Sequence, residues 1–171
     1  EKTGSKFTDL DMIAVTIGPG SFTGLRTGLS AAHGLALALN IPVHGVTTLE
    51  AVAFSVFSQL EEGIKNIPLF VVLETKRADL YFQQFTAGGL PKSEPLAVLP
   101  EVVIRLLPNS PIWVAGDACD RFLSSVPVNK VAKIKIATEC HFPKPQHVAE
   151  IASRRLHCAK KATPFYIHPP A

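Results

Sequence analysis

Residues 18–24, Gly-Pro-Gly-Ser-Phe-Thr-Gly, are of the types that can hold an anion. Glycines let backbone amides come close to a ligand, and where such a turn opens a helix the free amides and the helix dipole point at the same spot. The spacing matches neither familiar phosphate loop. The third glycine of a dinucleotide fingerprint is lacking, and no lysine follows Gly24 as it would in a Walker A loop. Gly18, Pro19, Gly20, Ser21, Thr23 and Gly24 therefore read as a structural turn, with Ser21 or Thr23 capping the helix behind it.

Other chemistry is hard to assemble from this chain. It has six histidines, but none stand as His-x-x-x-His or His-Glu-x-x-His, and prolines separate His141 from His147, so no metal site is expected. There is no Gly-x-Ser-x-Gly elbow and no local signature of a cysteine nucleophile. Asp117, directly after Gly116, reads as a turn and cap rather than an acid. No cofactor is expected. Basic residues gather late, at Lys130, Lys133, Lys135, Lys144, Arg154, Arg155, Lys160 and Lys161. They form either a nucleic-acid footprint or a solvated face, and interspersed acids with no aromatic platform favour the solvated face.

The elements that would position the turn are legible. Residues 12–17 are an apolar, β-prone run, and Leu25–Leu39 is rich in Leu and Ala without proline, so a strand leads into the turn and a helix leaves it. Gly24, Gly28, Ala32 and Ala36 make a stripe with almost no side chain, expected to pack inward. Arg26, Ser30, His33 and Leu37 share another, mostly polar face. Residues 41–46 read as the next strand, completing a βαβ unit. A second helix follows from Thr47 or Thr48 to Leu60, stopped by Gly63. Beyond Ile67, strands at 70–73, 80–85, 112–115 and 131–137 alternate with helices at 101–107, from Gly116 to Leu123, and at 147–160, an α/β order.

At 171 residues with 47% hydrophobic composition the chain can bury a core in one domain or two small lobes. A net charge of +3 does not by itself argue for nucleic acid. Three cysteines without a close pair suggest a reducing cytoplasm. No stretch reads as a signal peptide or a membrane span, so a soluble protein is expected.

Gly18-Pro-Gly-Ser-Phe-Thr-Gly-Leu-Arg-Thr-Gly-Leu29, Gly34-Leu-Ala, Ile41-Pro-Val and Thr48-Leu-Glu-Ala51 together resemble the bacterial TsaB (YeaZ) family. Glu74-Thr-Lys-Arg-Ala-Asp-Leu-Tyr81 and Pro164-Phe-Tyr-Ile-His-Pro-Pro170 continue the resemblance more thinly, departing from the family at Glu74, Thr75 and His168. The resemblance implies the actin-like, Hsp70-like ATPase superfold with ribonuclease H-like lobes, residues 1–66 being the remainder of an incomplete first lobe and 67–171 the second. It implies that an opening hairpin, strand and helix with an Ile-Asp-Thr-Ser signature would precede this segment, leaving the strand at 12–17 with an exposed edge. It implies a non-catalytic scaffold in making threonylcarbamoyladenosine at position 37 of tRNA, pairing with TsaD and recruiting the ATPase TsaE, with a homodimer as a further partner state and tRNA met only through the complex. The partner interface would be Arg26, Thr27, Ser30, His33 and Leu37. TsaD, a paralogue, carries a metal-binding His-x-x-x-His where this chain has Thr48 and Val52. The alternative is a nucleotide-binding or metallopeptidase-like enzyme of the same superfold.

Overall fold

Two short runs of β-branched and apolar residues, Ile13–Gly18 (β1) and Val43–Thr47 (β2), pair in parallel with Ile13 opposite Val43 and Thr16 opposite Val46. Parallel pairing demands a crossover, which the 18-residue helix α1 (Phe22–Leu39) supplies. The computed structural model describes residues 4, 6–59, 67–155 and 160–167. Helix α1 stops at Asn40, whose φ of 53° is a left-handed position that Asn tolerates. Helix α2 (Thr48–Gln59) follows β2 at once. Its start is closed reciprocally: the Glu50 amide donates to Thr47 Oγ1 at 3.2 Å, and the Thr47 amide donates to Glu50 Oε2 at 3.2 Å, a capping box.

The second sheet has the order β5-β4-β3-β6-β7. Strands β3 (Leu69–Glu74), β4 (Leu80–Phe85) and β5 (Leu96–Val98) form an antiparallel meander, while β6 (Ile112–Ala115) and β7 (Ile134–Ile136) add in parallel. Helices α3 (Pro100–Arg105) and α4 (Cys119–Ser125) cover one face, where Val103 and Phe122 pack on Phe70, Val72 and Phe82. The opposite face receives Leu49, Val52 and Val56 of α2, against Leu69, Val71 and Phe85. A single turn, α5 (Val128–Val131), precedes β7.

Helix α6 (Pro145–Ser153) then leaves the second sheet. Val148, Ile151 and Ala152 pack on Val46 and on Ala51 of α2. The two-residue strand β8 (Lys160–Lys161) pairs antiparallel with β2, giving a first sheet of order β1-β2-β8 with β1 at an edge among the described residues. Helix α2 is thus the joint between the sheets, one side in each core. Ala162 joins Ile17 and Leu29 on the first sheet, while Ile167 packs against the second core.

Several elements differ from the sequence reading. The last helix stops at Ser153, and Lys160 lies in a strand because β2 offers it a free edge. Only residues 134–136 of the 131–137 run are extended; the preceding residues take the α5 turn after Pro127. The helix expected from Gly116 starts at Cys119, since Asp117 is occupied elsewhere. Strand β5 was not foreseen. Gly63, the expected stop of α2, and Cys158 lie outside the described residues.

Candidate partner surface and the cleft beside it

Helix α1 buries Leu25, Leu29, Ala32 and Ala36: the two alanines of the small stripe face inward as expected, but in the first two turns leucines take the place of Gly24 and Gly28. Leucines win because they fill the space over β1 and β2; Leu29 joins Ile17 and Ala162 in a small core. Gly24 is exposed and Gly28 half-buried, and a Cβ at Gly28 would meet nothing within 4 Å. The glycines open the helix surface outward instead of drawing it inward.

Arg26, Thr27, Ser30, His33 and Leu37 all lie exposed on α1, Leu37 at 85%. Two of them also serve the carboxyl-terminal strap of residues 160–167. His33 Nε2 donates to the Ala162 carbonyl at 2.7 Å, and Arg26 Nε donates to the Tyr166 hydroxyl at 3.3 Å. The Arg26 guanidinium sits 3.9 Å from the centroid of Phe22, which stacks with Tyr166 at 5.8 Å.

At the head of α1 the turn has a defined build. Ser21, not Thr23, is the cap: its Oγ accepts from the Gly24 amide at 3.3 Å. Gly18 sits at φ +114°, and a Cβ there would fall 2.6 Å from the Phe165 carbonyl oxygen, so glycine is required on both counts. The Gly18–Pro19 peptide is cis.

This turn borders a cleft of about 830 Å³ between the two sheets. Across from it lies the β3–β4 hairpin, with Lys76 at φ +60° near its tip. Asp117 Oδ1 accepts from the Glu74 amide at 2.9 Å, tying the end of β3 to the β6 turn. Glu74 pairs with Arg121 at 3.0 Å, whose guanidinium also donates to the Arg77 and Asp79 carbonyls. Asp117 therefore caps a strand end, a role that the spacing along the chain does not reveal.

The residues that sequence reasoning missed lie behind the strap. Glu50 is 6% exposed and accepts from Thr47, from Arg155 at 3.0 Å and from Lys160 at 3.0 Å. Burial pushes its carboxyl up, but the Thr47 hydrogen bond and the Lys160 and Arg155 charges outweigh this and hold it below its ordinary value. The Thr-x-x-Glu spacing was the available signal, though it marks only a cap. The late basic residues do not act as one patch. Arg155 and Lys160 serve Glu50, Arg154 pairs with Glu150, and Lys130 reaches the Ile104 carbonyl.

Residues 1–92 match the sequence model of the family described as TsaD, tRNA N6-adenosine threonylcarbamoyltransferase, which is more than half of the chain. The tRNA threonylcarbamoyladenosine biosynthesis protein TsaB of Escherichia coli is 47% identical over 66% of this chain and 49% of its own length. The protein of that name from Buchnera aphidicola subsp. Baizongia pistaciae is 26% identical over 98% of this chain and 77% of its own. The chain belongs to the TsaB (YeaZ) family. Its fold is the actin-like, ribonuclease H-like one: it superposes on YeaZ from Pseudomonas aeruginosa with a TM-score of 0.74, at 22% identity, covering 96% of this chain and 78% of that one. Most of the curated TsaB-family and other relatives are matched over only a fifth to a half of their length. Val52 is fully buried in the second core, and Thr48, the first residue of α2, borders the cleft.

Proposed function

We propose that this TsaB-family chain is a non-catalytic partner subunit in making threonylcarbamoyladenosine at position 37 of tRNA, in the cytoplasm. It pairs through α1 with a TsaD-like catalytic subunit, or with a second copy of itself, and the pair recruits a TsaE-like ATPase. The relatives' names supply the pathway. The observation that carries the reading is the outward face of α1, where an 85% exposed Leu37 stands in line with Arg26, Ser30 and His33 on a helix whose glycines leave the backbone approachable. A partner helix laid there would cover Leu37 and the aliphatic stem of Arg26.

Ser30→Glu tests this, since it sets a carboxylate in the middle of the face. A charge left unpaired in a closed interface costs about 3 kcal/mol, which is roughly a hundredfold in affinity. Ser30 is exposed and glutamate is at least as good a helix former, so the melting temperature is expected to hold. Calorimetric titration against the TsaD-like subunit reads the first effect and a thermal melt the second. Unchanged binding, or a collapse of the melt, would sink the assignment.

A further inference from the structure

The cleft has a wall chemistry that pairing through α1 leaves unused. On its first-sheet side the rings of Phe22 and Tyr166 stack, and the Arg26 guanidinium covers Phe22. On the other side Phe142 projects into the same space with 67% of its surface exposed, a large apolar side chain that no packing in the described structure accounts for. The hairpin between these walls exposes Lys76 and Arg77. The two carboxylates that border the cleft are already engaged, Glu74 by Arg121 and Asp117 by the Glu74 amide. What remains toward the opening is aromatic surface flanked by cations.

That combination suits an unpaired nucleobase joined to a phosphate. Aromatic side chains take bases by their π-faces without regard to sequence, and nearby cations track the backbone. A duplex keeps its bases stacked on one another and offers nothing to Phe142. We infer that the cleft seats unpaired nucleotides of a single-stranded RNA, a base against Phe142 and the outer face of Tyr166, a phosphate against Lys76 and Arg77. This deepens the preceding proposal, since it rests on the chain working in an assembly that acts on RNA and gives the chain its own contact with that RNA. The volume of about 830 Å³ holds more than one base.

The test is fluorescence anisotropy of a labelled single-stranded oligouridylate titrated with the full chain at low and moderate salt. Saturable binding is expected, weakened about tenfold by Phe142→Ala, with that variant melting like the parent because Phe142 is so exposed. Lys76→Gln should flatten the salt dependence by about one logarithmic unit. Equal binding of a duplex, preference for free ATP over the oligonucleotide, no saturation, or indifference to Phe142→Ala would each overturn the inference. Phe142 lies off the α1 face, so pairing with the TsaD-like subunit is measured separately on the same variant. On the parent chain, oligouridylate binding without pairing removes the scaffold reading alone, and pairing without oligouridylate binding removes the cleft assignment alone.

Discussion

Two strand-to-helix turns in this molecule share one backbone device and use it for opposite ends. At the end of β1, Gly18 has φ +114°; at the end of β6, Gly116 has φ +117°. The Gly116 turn is welded into the second sheet. A Cβ there would lie 1.9 Å from the Val72 carbonyl oxygen, the glycine amide donates to the Cys140 carbonyl, and the Asp117 carboxylate next to it is spent on β3. Its helix is seven residues long and has no side-chain cap. The Gly18 turn is backed by the strap and by Leu25, and launches a capped helix of 18 residues with an exposed face. The same sharp turn therefore closes a core at one sheet and presents a surface at the other. The difference lies in what packs behind each glycine.

The largest test of this contrast is alanine at each glycine. At Gly116 the new methyl meets the backbone of a central strand at an unfavourable φ, and a loss of more than about 3 kcal/mol is expected, seen as a steep drop in the melting temperature. At Gly18 the obstacle is Phe165, held there by a backbone bond from its amide to the Ile17 carbonyl at 2.7 Å. That strap can shift, so a loss of roughly 2 kcal/mol is expected. Equal losses would break the comparison.

The strap's own fastening comes next. Replacing Glu50 by glutamine leaves Arg155 and Lys160 facing a neutral amide, and about 2 kcal/mol should be lost at neutral pH. Because the folded carboxyl is held below 4.5, its contribution is present above that pH and disappears as pH falls through the lower folded value. Denaturant melts of parent and Glu50→Gln should therefore converge in acid; a gap constant with pH would refute the ion network. The smallest effect concerns the cap. Ser21→Ala should cost about 1 kcal/mol, lowering the melt by a few degrees, and a neutral result would mean that the turn holds α1 without its hydroxyl.

Much of this is legible in the sequence. The runs at 12–17, 70–73, 80–85 and 112–115 announce strands because their apolar and β-branched residues favour extended, buried backbone, and the Leu/Ala segment after the turn announces α1. The family resemblance, densest over residues 12–53, named the fold. The shared face of Arg26, Ser30, His33 and Leu37 was legible as a helical period, and all four residues are exposed on α1. The inward burial of Ala32 and Ala36 was legible; that Leu25 and Leu29 rather than Gly24 and Gly28 complete the buried face was not, since the two pairs lie side by side and only the shape of the sheet beneath chooses between them. Nor was the cleft chemistry, whose aromatic members Phe22, Phe142 and Tyr166 are far apart in the chain.

By itself, then, the sequence determined what is local. Period two against period 3.6, a glycine where φ must be positive, and Thr-x-x-Glu at a helix start depend on neighbours a few residues away, and those neighbours are always present. The tertiary structure alone decided the rest. Glu50 meets Arg155 and Lys160 across separations of 105 and 110 residues, Asp117 caps a strand 43 residues earlier, and Lys160 leaves its expected helix for a strand. In each case a buried or edge polar group must be satisfied by whatever partner folding brings, and the free energy of leaving it bare outweighs a local preference worth less than about 1 kcal/mol.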